Sequence, residues 1–137
     1  MIIVIAKYNK HVIKKLQKQY DIKERIYWFV KSGKQRKKNN IKFITTHPAA
    51  VREFVYLLLS YLLIMYGYRK KVIIYSDSFA DIQLLNYHDN FEVYFITPIK
   101  YKFKLLHKQC GFVPFDPKGI DYDKLCKACE ELIVSEE

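Results

Sequence analysis

The chain is poor in the residues that build loops and staples. Its 137 residues include four glycines, four prolines and three cysteines. There is no Gly-rich P-loop, a motif whose backbone amides need glycine to close around a phosphate. A nucleophile elbow and an HExxH pair are also missing. An odd cysteine count in a chain long enough to bury its own core argues against a disulfide framework, and for a reducing, cytoplasmic setting. The opening MIIVIA lacks the basic flank and small-residue cleavage site of a secretory signal. The longest apolar stretch, FVYLLLSYLLIMYGY at 54–68, falls short of the roughly 20 residues that span a bilayer. No transmembrane segment is expected, and that stretch reads as a helix buried against a sheet. Acid is the scarcer charge, 14 Asp+Glu against 24 Lys+Arg, for a formal net charge of +10. That balance favours an anionic partner, either a phosphorylated ligand or nucleic acid, and leaves a protein partner open.

With 50% hydrophobic and 16% aromatic residues, the chain has the material for one compact domain. MIIVIA (1–6), IKFITTH (41–47), VIIYSD (72–77) and FEVYFIT (91–97) read as strands. RIYWFV (25–30) reads as a strand or as a continuation of the preceding helix. Helical patterning covers 11–20, 49–66 and 80–87, and a last helix starts near Tyr122. Pro98 is expected to open a further helix through about 109, followed by a short strand at FVPF (112–115). KSGKQRKKNN (31–40) is the one evident loop. Strands that alternate with helices predict a single three-layer α/β domain over 1–137. It would have a mostly parallel central sheet, flanking helices and a C-terminal helical extension at 120–137.

Two groups of residues have the spacing of chemistry. In VIIYSDSFADIQLL (72–85), Asp77 follows a strand and Asp81 lies one helical turn later. In a parallel sheet, ligands gather where strands end at their carboxyl side. Two hard carboxylates there suit Mg²⁺, but spacing alone favours the other account, a helix cap at Asp77 or Ser78 with Asp81 complementing the dipole. His107-x2-Cys110 and Cys126-x2-Cys129 match a four-ligand zinc spacing, against the reading of these cysteines as small core hydrophobes.

VIIYSDSFADIQLL resembles the fourth motif of the haloacid-dehalogenase (HAD) superfamily, in its phosphoserine-phosphatase-like branch. FEVYFITP resembles the strand that follows it, and FITTHPAAV the second motif. The resemblance implies magnesium-side acids at Asp77 and Asp81, a phosphate-binding hydroxyl at Thr45, and Lys70 or Lys71 in place of the family's lysine. The nucleophilic aspartate is missing: Ala6 and Tyr8 stand where the family has acids, and no carboxylate precedes Asp21. The resemblance therefore implies a catalytically incomplete, phosphatase-derived domain, or scaffold, that binds magnesium and an anionic ligand. A GNAT acetyltransferase is the competing likeness, through MIIVIAKYNKHVIKKL, IKFITTHP with its long helix, and LLHKQCGFVPF. It implies splayed central strands at 41–46 and 72–76, and a binding or assembly role. A basic nucleic-acid-binding module, carried by 31–38 and 69–71, is the third reading.

Overall fold

The computed structural model describes residues 1–30, 37–38, 40–46, 51–86, 88–105 and 121–136. Among these residues, eleven elements follow one another: β1 (Ile2–Ile5), α1 (Lys10–Gln19), β2 (Ile26–Val30), β3 (Lys37–Lys38), β4 (Ile41–Thr45), α2 (Val51–Ile64), β5 (Val72–Ser76), α3 (Phe79–Leu85), β6 (Phe91–Ile96), β7 (Phe103–Leu105) and α4 (Tyr122–Glu136). The strands form one seven-stranded sheet in the order β3-β4-β2-β1-β5-β6-β7. The five inner strands run parallel, and the short edge strands β3 and β7 run antiparallel to their neighbours. The α/β class and the mostly parallel sheet follow the sequence pattern.

Burial on both faces explains why the inner strands are nearly continuous apolar runs. Ile3, Ile5, Tyr27, Phe29, Val72, Ile74 and Val93 pack with α2, α3 and α4. Ile2, Val4, Ile26, Trp28, Ile41, Phe43 and Tyr75 pack with α1 on the other face. Hence α1 covers one side of the sheet and three helices cover the other.

Local chemistry sets the helix ends. The Asn9 side chain accepts from the backbone amides of His11 and Val12, which caps the first turn of α1. Val12, Ile13 and Leu16 then turn a single apolar face to the sheet. By contrast α2 is buried along most of its length, because it lies between the sheet and α4. It stops at Gly67, whose φ of +62° is a conformation that side chains disfavour, with the Tyr68 amide donating back to the Leu62 carbonyl at 2.8 Å.

Two expectations need correction. The helix expected from Pro98 is a turn followed by β7. Lys100 and Tyr101 take positive φ values of 56° and 47°, and Thr97 and Lys102 close the hairpin, the Thr97 amide donating to the Lys102 carbonyl at 2.9 Å. Phe103 and Leu105 alternate with lysines, a period of two that suits an edge strand. Within the expected loop at 31–40, Lys37–Lys38 pairs antiparallel with β4. The FVPF segment lies outside the described residues.

Candidate functional site

Strand order decides where a ligand can approach. From β1 the chain moves through α1 to β2 on one side, and from β5 it moves through α3 to β6 on the other. The adjacent strands β1 and β5 therefore flank a topological switch point, where loops diverge and leave a crevice at the carboxyl edge. Ile5 pairs with Ser76 at that edge, and the Asp77 amide donates to the Ile5 carbonyl at 3.3 Å. Asp77 and Asp81 both stand there.

Their immediate neighbours are protein groups. Asp81 is fully buried. Its Oδ2 accepts from the Ser76 hydroxyl at 2.6 Å and from Arg52 Nη1, and its Oδ1 accepts from the Tyr56 hydroxyl. Asp77 lies at the rim, where its Oδ1 accepts from Arg52 Nη2 at 3.1 Å and its Oδ2 from the Lys7 amide at 3.3 Å. Arg52 thus spans the two acids with one nitrogen for each, a use of the guanidinium fork that a lysine cannot reproduce. Arg52 and Tyr56 are four residues apart on α2, so both reach the crevice from one helical face.

Burial raises the Asp81 carboxyl above its ordinary value, and the Ser76 and Tyr56 hydroxyls and the Arg52 charge pull it back. Burial likewise raises the Tyr56 hydroxyl, and its bond to Asp81 raises it further, so Tyr56 remains a donor.

Each of the four carboxylate oxygens already has a donor. The Asp77–Asp81 pair therefore fits Mg²⁺ poorly as it stands, because an ion would have to displace Arg52. Among the described residues, no group of three or more His, Cys, Asp or Glu side chains is arranged to hold a metal.

The expected phosphate groups are not brought together. Thr45 ends β4, which is separated from β1 by β2 and so lies about 10 Å from it across the sheet. Lys70 and Lys71 immediately precede β5 and therefore occupy the opposite, amino edge, roughly 17 Å from the crevice along the strand. There Lys71 pairs with Glu92 at 3.2 Å, and the Lys70 carbonyl accepts from Asn90 at 2.9 Å. A lysine ahead of a parallel strand cannot serve a site beyond its end, so these two do not share a site with Asp77.

Of the zinc candidates, His107 and Cys110 lie outside the described residues. Cys126 is half-buried on α4, and Cys129 is fully buried, its thiol donating to the Leu58 carbonyl at 3.8 Å. Burial first, then Cys126 and Glu130 nearby, push the Cys129 thiol up to about 12. In the native protein Cys129 is expected to resist a thiol-specific disulfide reagent at neutral pH and to react only on denaturation. Native labelling of Cys129, read by peptide mass spectrometry, would contradict its burial between α2 and α4.

Arg52, Tyr56 and Ser76 were not singled out by sequence. The available signal was a cation four residues ahead of a tyrosine at the start of an otherwise apolar helix. Neither a scan of protein-family models nor searches of curated proteins and of solved structures found a match for this chain.

Proposed function

We propose that this chain is a HAD-like, phosphatase-derived binding domain that does not turn over its ligand, and in which Arg52 supplies the charge balance that magnesium supplies in a working phosphatase. One observation carries this reading: the Arg52 guanidinium lies across Asp77 and Asp81 at the switch point of β1 and β5. The pairing of β1 with β5 supports the HAD likeness, because it sets the aspartate strand beside the strand that would bear the nucleophile. It speaks against the GNAT likeness, which needs β4 and β5 as neighbours, whereas β2 and β1 lie between them. Ala6 and Tyr8 follow β1 where acids would be required, so no aspartyl-phosphate can form there. An anionic ligand at this edge meets the Lys7 and Lys10 side chains and the start of α1, a helix with no acid in its first turn.

The test is a pair of titrations. Isothermal calorimetry of the native protein with Mg²⁺ is expected to show no site at the aspartates. Arg52→Ala frees Asp77 and Asp81 and is expected to create millimolar-range Mg²⁺ binding that Asp77→Asn abolishes. If the native protein binds Mg²⁺ and Asp77→Asn removes that binding, the aspartates form a metal site and the Arg52 reading fails. Hydrolysis of a phosphate monoester by the native protein would overturn the non-catalytic part.

A further inference from the structure

The outer ridge of α1 carries uncompensated positive charge. Its sequence, KHVIKKLQKQ, has four lysines and no acid. Lys10, Lys14 and Lys18 are exposed and recur every fourth residue, about 6 Å apart along the helix axis. Like charges at this spacing repel, so the ridge opposes helix formation. A lysine in the first turn also faces the positive end of the helix dipole. Among the described residues, ion pairs join Arg52 to Asp77 and Asp81, Lys42 to Glu131, and Lys71 to Glu92. None of them involves α1.

The fourth lysine is used differently. Lys15 Nζ donates to the carbonyls of Lys100 and Tyr101 at 3.1 and 2.9 Å and lies over the Phe103 ring. It latches the β6–β7 turn to α1 and brings Lys100, exposed on the turn, beside the ridge. The same contact stacks His11 on Tyr101, with ring centroids 5.6 Å apart and planes 8° from parallel. At the carboxyl edge Tyr8, between Lys7 and Lys10 in sequence, packs one side of its ring 5.7 Å from that of Phe43 and exposes 41% of its surface. Partly exposed aromatic rings and cations thus both stand at the amino end of α1.

We propose that the α1 ridge, together with Tyr8 and the β6–β7 turn, is a binding surface for single-stranded nucleic acid. The cations track the backbone phosphates, and Tyr8 and the His11–Tyr101 pair offer faces for unpaired bases. A bilayer is disfavoured as the occupant because the apolar face of α1, Val12, Ile13 and Leu16, is turned into the core. An acidic peptide would satisfy the lysines but make no use of the exposed outer faces of these rings. The surface shares Lys7 and Lys10 with the anion-facing edge described above, but it uses none of Arg52, Asp77 and Asp81 and does not depend on how they are used.

Fluorescence anisotropy with a labelled oligothymidylate is expected to show binding that weakens steeply with salt and exceeds binding to a duplex of equal length. The triple variant Lys10→Gln, Lys14→Gln, Lys18→Gln should lose at least about tenfold in affinity and flatten the log–log salt slope by about 2. Tyr8→Ala should lose roughly tenfold with the slope unchanged, which separates stacking from charge. Lys127→Gln, an exposed position of α4 on the other side of the sheet, should leave affinity as it was. Circular dichroism of each variant checks that the helix persists, since the substituted lysines face outward. Absence of oligonucleotide binding at low salt would overturn the proposal. So would equal affinity for duplex, an unaffected triple variant, or binding to anionic vesicles alone.

Discussion

Asp81→Ala is expected to lower the free energy of unfolding by about 3–5 kcal/mol, measured by urea denaturation. The loss does not arise from one broken ion pair. Removing the carboxylate strands the Tyr56 hydroxyl in a buried position without its acceptor, and Ser76 and Arg52 lose one as well. For a single domain stabilised by roughly 5–15 kcal/mol, this is a large share. Asp77→Ala, at the rim, is expected to cost about 1 kcal/mol or less, because solvent screens that half of the fork. Replacing the group together, as Arg52→Met, Tyr56→Phe and Asp81→Leu, should recover much of the loss, since an apolar substitute needs no partners. A triple variant no more stable than Asp81→Ala would mean that the crevice cannot repack around carbon.

The same carboxylate makes stability depend on pH with a definite sign. Its pKa is raised above the ordinary 3.8, by burial in the first place. The folded protein therefore holds this proton more tightly than the unfolded chain does. Stability contributed by Asp81 falls as pH rises from the ordinary carboxylate range through the raised pKa. Asp81→Asn cannot ionise, and its urea midpoints should lack this part of the slope.

Trp28→Ala is expected to cost about 3–5 kcal/mol. Trp28 is fully buried on the α1 face of β2, with its ring 5.5 Å from that of Phe43. Its Nε1 donates to the Ala6 carbonyl at 2.8 Å, which ties down the chain where it leaves β1 for the crevice. Trp28→Phe keeps most of the ring packing and gives up this bond, so it should cost less than half as much. Hydrogen exchange at the Lys7 amide, which donates to Asp77, should quicken in both variants. As this is the single tryptophan, far-ultraviolet circular dichroism is the appropriate probe of unfolding. Unchanged exchange at Lys7 would show that β1 and β5 hold the loop without the indole.

Much of the fold was legible because the inner strands are short, mostly apolar segments and α1 follows the helical period. Val72–Ser76 and Phe91–Ile96 are apolar runs bounded by polar residues, and α1 shows one apolar face. The β6–β7 hairpin was obscured by Pro98, which suits the first turn of a helix as well as a tight turn. The alternation in KFKL was too short to outweigh it. The candidate site was half legible. Asp77 and Asp81 are local in sequence, so their shared edge followed from strand then helix. Arg52 comes from a helix that ends eight residues before β5 begins, and only the strand order brings it to them. For Lys70 and Lys71 the sequence gives nearness to Asp77 but not direction, and that nearness is distance along a strand.

The position of β1 also bears on how the molecule assembles. This early segment sits at the middle of the sheet, and one of its two partners, β5, lies about 70 residues further along. Until β5 arrives, β1 offers an open row of amides and carbonyls flanked by isoleucines on both sides. Closure of that gap joins the halves of the sheet and brings Asp77 and Asp81 to Arg52 in the same event. The rate of that long-range encounter is therefore expected to govern how long the nascent chain stays vulnerable to self-association.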